Sequence, residues 1–255
     1  MLQALRAELP NEDFVYLADT ANAPYGERDA SFVRLRAMAI AQYLIHDVAQ
    51  PIKALVVACN TATAVAIAAL RTSYPGLPII GVEPALKTAV ACSRSARIAV
   101  MATRATLQSA KFQILLHTLS EQAAFFCQPC DGLATAIERD DEALIHSLCE
   151  RYTRCISFGS CSSTPDEKPI DTLVLGCTHY PFAKQVLLGL LGPDVALIDT
   201  GAPVARQTKR LLGAHLEATG SGGKVELLAT GASHALATAS RRWLDLHTPV
   251  TSRSV

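Results

Sequence analysis

Aromatic residues and net charge are both scarce in this sequence of 255 residues. Phe, Trp and Tyr make up 5% of it, and 23 Lys and Arg are balanced by 23 Asp and Glu. Without a surplus of positive charge, nothing draws the protein electrostatically to nucleic acid or to an anionic membrane. No apolar run approaches the roughly 18 residues of a membrane span, and the first residues do not resemble a signal peptide. We therefore expect a cytoplasmic protein whose partner is a small molecule.

Cysteine is not scarce, but its distribution argues against disulfides. Eight cysteines are scattered along the chain, and without a signal peptide they do not indicate a disulfide framework. Cys127 and Cys130 have the C-x-x-C spacing of a zinc or redox pair, yet no second pair or nearby His completes four ligands. We predict two small core residues there, with metal binding or thiol redox chemistry as the alternative.

Short apolar runs alternate with helical patterns along the chain, which predicts βαβ units. The predicted strands are short and apolar and cover 14–18, 53–58, 78–82, 97–102, 123–128, 172–175, 195–198 and 225–228. The main predicted helices carry an apolar stripe and cover 1–9, 30–46, 61–71, 108–119, 133–156 and 233–246. Residues 157–168 and 219–224 are expected to form an exposed excursion and a surface turn. Such alternation predicts an α/β fold with largely parallel sheets covered by helices on both faces.

Two distant segments share one local pattern, in which a buried strand ends in a cysteine. Cys59 ends the run 54–59, and Cys177 ends the run 171–177. The carboxyl ends of parallel strands face the ligand crevice of such sheets, so both thiols are predicted to lie where substrates bind. Each cysteine is followed by polar residues that can cap the next helix and hydrogen-bond a ligand.

A pair of cysteines in these positions suits one reaction. A cysteine at a helix N-terminus feels the positive end of the helix dipole, and a neighbouring imidazolium also favours its thiolate. A single strand-end cysteine is usually inert and buried, but two at matching positions indicate chemistry. Inversion at an amino-acid α-carbon without a cofactor requires a base on one face and an acid on the other. Cys59 and Cys177 are predicted to supply that thiolate and thiol.

Four motifs occur in a fixed order along the chain. They are residues 23–26 (Ala-Pro-Tyr-Gly), 57–64 (Val-Ala-Cys-Asn-Thr-Ala-Thr-Ala), 81–84 (Gly-Val-Glu-Pro) and 175–181 (Leu-Gly-Cys-Thr-His-Tyr-Pro). Together they resemble the glutamate racemase family, within the wider aspartate/glutamate racemase group, and the second and fourth are highly specific in combination. The likeness runs from about residue 14 to residue 212 and continues more weakly to the end.

The resemblance implies interconversion of L- and D-glutamate with neither pyridoxal phosphate nor metal, which supplies D-glutamate for bacterial peptidoglycan. Cys59 and Cys177 would be the two proton donors and acceptors. By the same motif matching, contacts with the carboxylates and ammonium of the substrate are implied for Tyr25, Gly26, Asn60, Thr61, Thr178 and His179. Hydroxyls, amides and backbone donors bind an anion without a permanent charge that would hold the product too firmly.

Two further residues are assigned to the side of Cys177. His179 can hold a proton near neutral pH and is predicted to assist Cys177 as an acid and base. Glu138 resembles an acidic residue of the family that helps on the same side, and a solvated helical glutamate is the alternative.

The sequence departs from the family at its start. Family members open with a strand that ends in Asp-Ser-Gly, followed by a Gly-rich turn and the helix that residues 1–9 resemble. The missing Asp would assist Cys59, and the missing Ser would bind substrate. Either the start codon was assigned too late, which we favour because residues 1–9 carry a leucine stripe without a cap, or the chain is truncated with weak or no activity.

The resemblance also implies two flavodoxin-like α/β domains related by a pseudo-twofold axis, with the active site at their interface. The first is expected to combine residues 1–82 with 194–255, and the second to cover 83–193. Two alternatives remain: a racemase of another amino acid such as aspartate, and a non-catalytic, ligand-binding homologue. A homodimer is left open.

Overall fold

The computed structural model describes residues 1–155, 168–216 and 223–255. The strands in these residues are β1 (Phe14–Ala18), β2 (Leu55–Val57), β3 (Ile79–Gly81), β4 (Arg97–Ala102), β5 (Ala124–Pro129), β6 (Thr172–Leu175), β7 (Ala196–Ile198), β8 (Val225–Ala229) and β9 (Val250–Ser252). All pairs among them are parallel. The predicted α/β fold with parallel sheets is confirmed.

Helices connect the strands. The α-helices are α1 (Leu2–Glu8), α2 (Ala30–His46), α3 (Asn60–Ser73), α4 (Leu86–Cys92), α5 (Arg104–Gln108), α6 (Ala110–Leu119), α7 (Leu133–Glu138), α8 (Glu142–Cys155), α9 (Lys184–Leu191), α10 (Gly201–Leu212) and α11 (Ser233–Leu244). Short 3-10 helices cover Tyr25–Glu27, Tyr180–Ala183 and Gly213–His215. None of the helices in the described residues combines the length and the apolarity that crossing a bilayer requires.

The predicted helix 133–156 is divided into α7 and α8, so that prediction was wrong, whereas the predicted helix 108–119 is found as α6, which begins two residues later at Ala110. Ser109 ends α5 and caps α6, because its side chain accepts a hydrogen bond from the Phe112 N–H at 3.3 Å. Asp140, between α7 and α8, has a left-handed backbone with φ +54°, which a continuous helix excludes. The excursion predicted at 157–168 lies outside the described residues except for Lys168, and the turn at 219–224 lies outside them except for its last two residues.

The first of two compact units comprises residues 1–57, 65–81 and 201–255. Its strands form a three-stranded sheet of order β1-β8-β9 and a two-stranded sheet of β2 and β3. A core cluster centred on Leu5, Leu9, Ala205 and Leu212 joins α1 to α10. The leucine stripe of α1 is therefore buried, as amphipathic spacing predicts.

The second unit comprises residues 58–64 and 82–200 and contains one sheet of order β5-β4-β6-β7. The central strands β4 and β6 are covered on both faces, as expected for a parallel sheet. Strand β7 pairs with β6, so residues 196–198 lie in this unit. The domain boundaries predicted at 82/83 and 193/194 remain a prediction.

Candidate active site

Cys177 lies just beyond the carboxyl end of β6. The residue before it, Gly176, donates its N–H to the Met101 carbonyl at 2.7 Å, and a Cβ there would lie 2.8 Å from the Ala102 Cβ. Only glycine allows this close approach of backbones. The Cys177 side chain is buried, with 8% of the residue exposed. A glycine before the cysteine therefore fixes where its thiol lies.

Cys59 lies in the same unit, just before α3. The Ala62 N–H donates to its Sγ at 3.4 Å, as the first turn of a helix does for an anion or a thiol. Thr178 donates its hydroxyl to the Ala58 carbonyl at 3.1 Å. This bond ties the residue after Cys177 to the residue before Cys59, and both of these residues belong to the second unit.

Burial raises the pKa of the Cys59 thiol to about 11, and the neighbouring Cys177 adds to this, against hydrogen bonds from Ala62 and Thr61. Loss of the proton would put a charge in a poorly solvated position. Cys59 is therefore a thiol at neutral pH and a candidate proton donor.

His179 and Glu138 form a chain of contacts behind Cys177. His179 Nδ1 lies 3.7 Å from the Cys177 Sγ, and His179 Nε2 lies 2.6 Å from a Glu138 carboxylate oxygen. Burial alone would lower the pKa of His179, but its hydrogen bonds with Cys177 and Glu138 outweigh this and raise the pKa to about 10. The hydrogen bond with His179 lowers the pKa of Glu138, against burial. The imidazole is thus a cation at neutral pH, and its Nδ1 lies 3.7 Å from the Cys177 sulfur.

Three threonine hydroxyls converge beside Cys59. Thr61 Oγ1 lies 3.2 Å from Thr103 Oγ1, and Thr103 donates to Thr106 at 2.9 Å. All three residues are buried. Thr103 and Thr106 were missed from the sequence, although a Thr-x-x-Thr at the end of a predicted strand is a helix-capping signal, and Thr103 does cap α5.

The Asn60 side chain is buried, at 4% exposure, and neither its Nδ2 nor its Oδ1 has a hydrogen-bond partner. Buried amides are rarely left unsatisfied, and each such group requires an explanation. A polar ligand next to Cys59 would supply the missing partners. The site therefore contains an unfilled donor and acceptor in addition to its thiols and hydroxyls.

Tyr25 and Gly26 lie in the first unit, in the 3-10 helix Tyr25–Glu27. The Tyr25 hydroxyl donates to the Asp19 carboxylate at 2.5 Å. The other predicted site residues, from Cys59 to Thr61, Glu138 and Cys177 to His179, all belong to the second unit. The structure thus brings seven of the nine predicted residues into one unit.

The prediction of two core cysteines at 127 and 130 was wrong for one of them. Cys130 is buried, but Cys127 is exposed because β5 is the outer strand of its sheet. Across the described ranges, no three His, Cys, Asp or Glu side chains are grouped so that they could hold a metal ion.

Comparison with known proteins places the chain in a family. A sequence profile described as Asp/Glu/Hydantoin racemase matches residues 1–208. A glutamate racemase of Ectopseudomonas mendocina is 46% identical over 217 residues, which cover 84% of this chain and 78% of the relative. A Bacillus anthracis glutamate racemase structure superposes with a TM-score of 0.85 at 28% identity, over 99% of this chain and 91% of that one. An Escherichia coli glutamate racemase, solved with L-glutamate and an activator, gives a TM-score of 0.83 at 26% identity, over 98% and 91%.

Proposed function

The chain belongs to the Asp/Glu/Hydantoin racemase family, in which it groups with the glutamate racemases, and from that membership we propose that it interconverts L- and D-glutamate. The observation that carries the proposal is the pair of strand-end cysteines in one unit with opposite surroundings. Burial holds Cys59 as a thiol, whereas Cys177 lies beside a cationic imidazole. Such a pair supplies one acid and one base, which stereoinversion requires.

We propose that the reaction transfers two protons at the α-carbon. The Cys177 thiolate takes the α-proton, the C–H electron pair remains on the substrate as a carbanion, and the Cys59 thiol donates its proton to the opposite face. In the reverse direction the Cys59 thiolate is the base and the Cys177 thiol is the acid. Each turnover moves one proton onto one sulfur and one proton off the other, so no redox partner is needed.

We propose that His179 and Glu138 assist proton transfer at Cys177. The cationic imidazole stabilises the thiolate, and the Glu138 carboxylate stabilises the cation through the 2.6 Å contact. When Cys177 has become a thiol, His179 can pass a proton to the solvent through its contact with Glu138. This role is general acid and base assistance, which typically contributes a factor of about 10² to 10⁴ in rate.

Substrate binding is proposed to use the unsatisfied amide of Asn60 and the hydroxyl of Thr61, with the Thr178 hydroxyl, whose proton goes to the Ala58 carbonyl, as an acceptor for the substrate ammonium. Negative charge spreads onto the substrate carboxylate as the α-proton leaves, and fixed donors aimed at it stabilise the transition state. Thr103 and Thr106 hold the Thr61 hydroxyl in place. The buried and unpartnered Asn60 amide supports this assignment, because a bound carboxylate or ammonium would satisfy it.

The glutamate specificity is tested by circular dichroism of the purified chain with each enantiomer of glutamate and of aspartate. We expect equal final mixtures from L- and D-glutamate, and turnover of aspartate at least about tenfold slower. Faster turnover of aspartate would assign a different substrate. Glutamate binding without any change in optical rotation would favour a non-catalytic ligand-binding protein.

We propose further that the product serves the synthesis of peptidoglycan in the cytoplasm. Expression of the chain in a bacterium that requires added D-glutamate tests this role. Growth without D-glutamate is expected from the unmodified chain and not from Cys177→Ala. Failure of growth despite activity in the purified protein would contradict the cellular role alone.

A further inference from the structure

Helix α7 is held at both of its ends by two consecutive side chains. The His179 imidazole lies 2.6 Å from the carboxylate of Glu138, the last residue of α7. The Tyr180 hydroxyl donates to the Cys130 carbonyl at 3.2 Å, and the same carbonyl accepts the N–H of Leu133, the first residue of α7, at 3.4 Å. All of these residues belong to the second unit. One end of the helix is therefore attached to residue 179 and the other end to residue 180.

The two attachments differ in burial. Tyr180 is 0% exposed and Cys130 is 2% exposed, and both lie in one core cluster with Leu133. Water therefore cannot replace the phenol, and a buried polar group that loses its partner destabilises the fold. The Glu138 side chain is instead 43% exposed, and an ion pair at such a position contributes little by itself. The Tyr180 hydrogen bond is thus the attachment that fixes where α7 lies.

Tyr180 keeps its proton over the range in which His179 titrates. Burial raises the pKa of Tyr180 well above its usual value of 10. Four neighbouring groups add to this increase, and they are Cys177, Cys130, Tyr152 and Asp131. Burial would lower the pKa of His179, but its hydrogen bonds with Cys177 and Glu138 raise that pKa to about 10. A change in the pKa of His179 on removal of the Tyr180 hydroxyl therefore reports a displaced neighbour and not the titration of Tyr180.

We propose that Tyr180 is a positioning residue for the proton path at Cys177, which acts by fixing α7 so that Glu138 meets the His179 imidazole. The inference rests on the proposed function, in which His179 and Glu138 assist proton transfer at Cys177. A helix of six residues spans about 9 Å, and its backbone hydrogen bonds carry a shift of its first residue to its last. The Tyr180 hydroxyl itself transfers no proton, because it donates to a backbone carbonyl.

A second phenol beside α7 provides a matched comparison. Tyr152, in α8, donates its hydroxyl to the Asp131 carbonyl at 2.6 Å, one residue after the acceptor of Tyr180. Asp131 is exposed, so water can take the place of that phenol. Tyr152 also connects α7 to α8, which carries neither an active-site cysteine nor His179. The two phenols thus donate to consecutive carbonyls, but only Tyr180 joins α7 to the segment of His179.

An NMR titration of His179 tests the proposal. Isotope-labelled histidine gives a ring signal for each residue, and the signal that is lost in His179→Asn identifies this ring. In Tyr180→Phe, which removes the hydroxyl and keeps the ring, we expect the pKa of His179 to fall, because the carboxylate of Glu138 moves away from the imidazole. Glu138→Gln should lower this pKa further. The variant that combines both changes should match Glu138→Gln alone, because both act through one contact.

Tyr152→Phe is the control, and it should leave the pKa of His179 unchanged. An unchanged pKa in Tyr180→Phe would overturn the proposal. An equal fall in Tyr152→Phe would do the same, because it would show a general loosening of the core. A further fall in the combined variant, below the value in Glu138→Gln, would show that Tyr180 acts by a route other than Glu138.

Steady-state kinetics give a readout that a general loss of stability does not reproduce. Tyr180→Phe should lower kcat for glutamate about fivefold, because a displaced Glu138 assists His179 less well. KM should change less than about twofold, because α7 carries none of the predicted substrate contacts. The alkaline limb of the pH–rate profile should move to lower pH, as the pKa of His179 does. A raised KM with an unchanged kcat would contradict the positioning role.

Two results separate this inference from the proposed function. Absence of glutamate turnover by the unmodified chain would contradict the proposed function, and the titration of His179 would still show whether Tyr180 places Glu138. In the unmodified chain, the Tyr180 hydroxyl proton should also exchange slowly with water by NMR, because its bond to Cys130 is buried. Exchange as fast as that of a solvent-exposed phenol would overturn the inference even where Tyr180→Phe fails to fold.

Discussion

The surroundings of Cys59 and Cys177 differ, although the sequence brings each thiol to the end of a parallel strand in the same way. Around Cys59 there are a backbone N–H and the hydroxyls of buried threonines. Around Cys177 there are an imidazole and, behind it, a carboxylate. One thiol is kept protonated by burial, and the other has a cation beside it. A pattern that repeats in sequence therefore supports two different acid–base roles.

The difference originates in the residues that follow each cysteine. Thr61, two positions after Cys59, is uncharged, whereas His179, two positions after Cys177, can carry a positive charge.

Replacement of either cysteine should have the largest effect, because each supplies a proton that no other group replaces. In Cys59→Ser and in Cys177→Ser we expect glutamate turnover to fall by about 10³-fold or more, measured by circular dichroism. Cys127→Ser, at an exposed position of β5, is the control and should keep full activity. Full turnover in either active-site variant would contradict the two-cysteine mechanism.

Replacement of His179 should impair proton transfer at Cys177 more than proton transfer at Cys59. His179→Asn removes the cation beside Cys177, and a loss of about 10²-fold is expected. The loss of kcat should be larger for the enantiomer whose α-proton Cys177 removes, with a matching fall in KM, because the equilibrium between the enantiomers keeps kcat/KM equal in the two directions. Thr61→Val, the counterpart beside Cys59, should chiefly raise KM. An equal loss of kcat for both enantiomers, or a larger loss of kcat in Thr61→Val, would show that the asymmetry is not functional.

Glu138→Gln should have a smaller effect, about tenfold on turnover, because the carboxylate acts through His179. Since Glu138 helps to raise the pKa of His179, its removal should lower that pKa and move the alkaline limb of the pH–rate profile to lower pH. Glu150→Gln, which changes an exposed partner of Arg154, is the matched control. An alkaline limb that stays in place would remove Glu138 from the proton path.

The smallest expected effect is on the pH dependence of stability. His179 and Cys59 should each affect stability over a different pH range. The pKa of His179 is raised from 6.5 to about 10, so its contribution is complete below pH 6.5 and is lost as pH rises through about 10. The pKa of Cys59 is raised from 9.0 to about 11, so stability is lost between these values. Urea unfolding should show that His179→Asn flattens the decline from pH 6.5 upward, and that Cys59→Ser flattens only the range above pH 9.

A flat stability profile in the unmodified chain between pH 6.5 and 9 would contradict the assigned charge of His179.

Much of the fold and of the candidate site could be predicted from the sequence, because the patterns that indicate them lie within short segments. The apolar runs and the turn residues between them predicted the bounds of β1 and β4 to the residue. The two matching strand-end motifs identified Cys59 and Cys177. Glu138 could be singled out only by its resemblance to a family position. Its contact with His179 joins residues 41 positions apart, and no local pattern encodes that contact.

The features that the sequence did not predict depend on contacts between residues that lie far apart in the chain. The threonine cluster joins Thr61 to Thr103 over 42 positions. Strand β9 was not predicted because three residues, Val250–Ser252, carry no periodicity of their own and become a strand only by pairing with β8. The hydrogen bond from the Thr230 hydroxyl to the Asp19 carboxylate likewise joins residues 211 positions apart.

Turnover in deuterated water shows whether one thiol removes the α-proton while the other delivers a different proton. Mass spectrometry and chiral separation should follow both enantiomers of glutamate at early times. We expect the inverted product to carry one solvent deuterium and the unreacted substrate to carry almost none, in both directions. Product without deuterium, or deuterium entering substrate as fast as product, would contradict it.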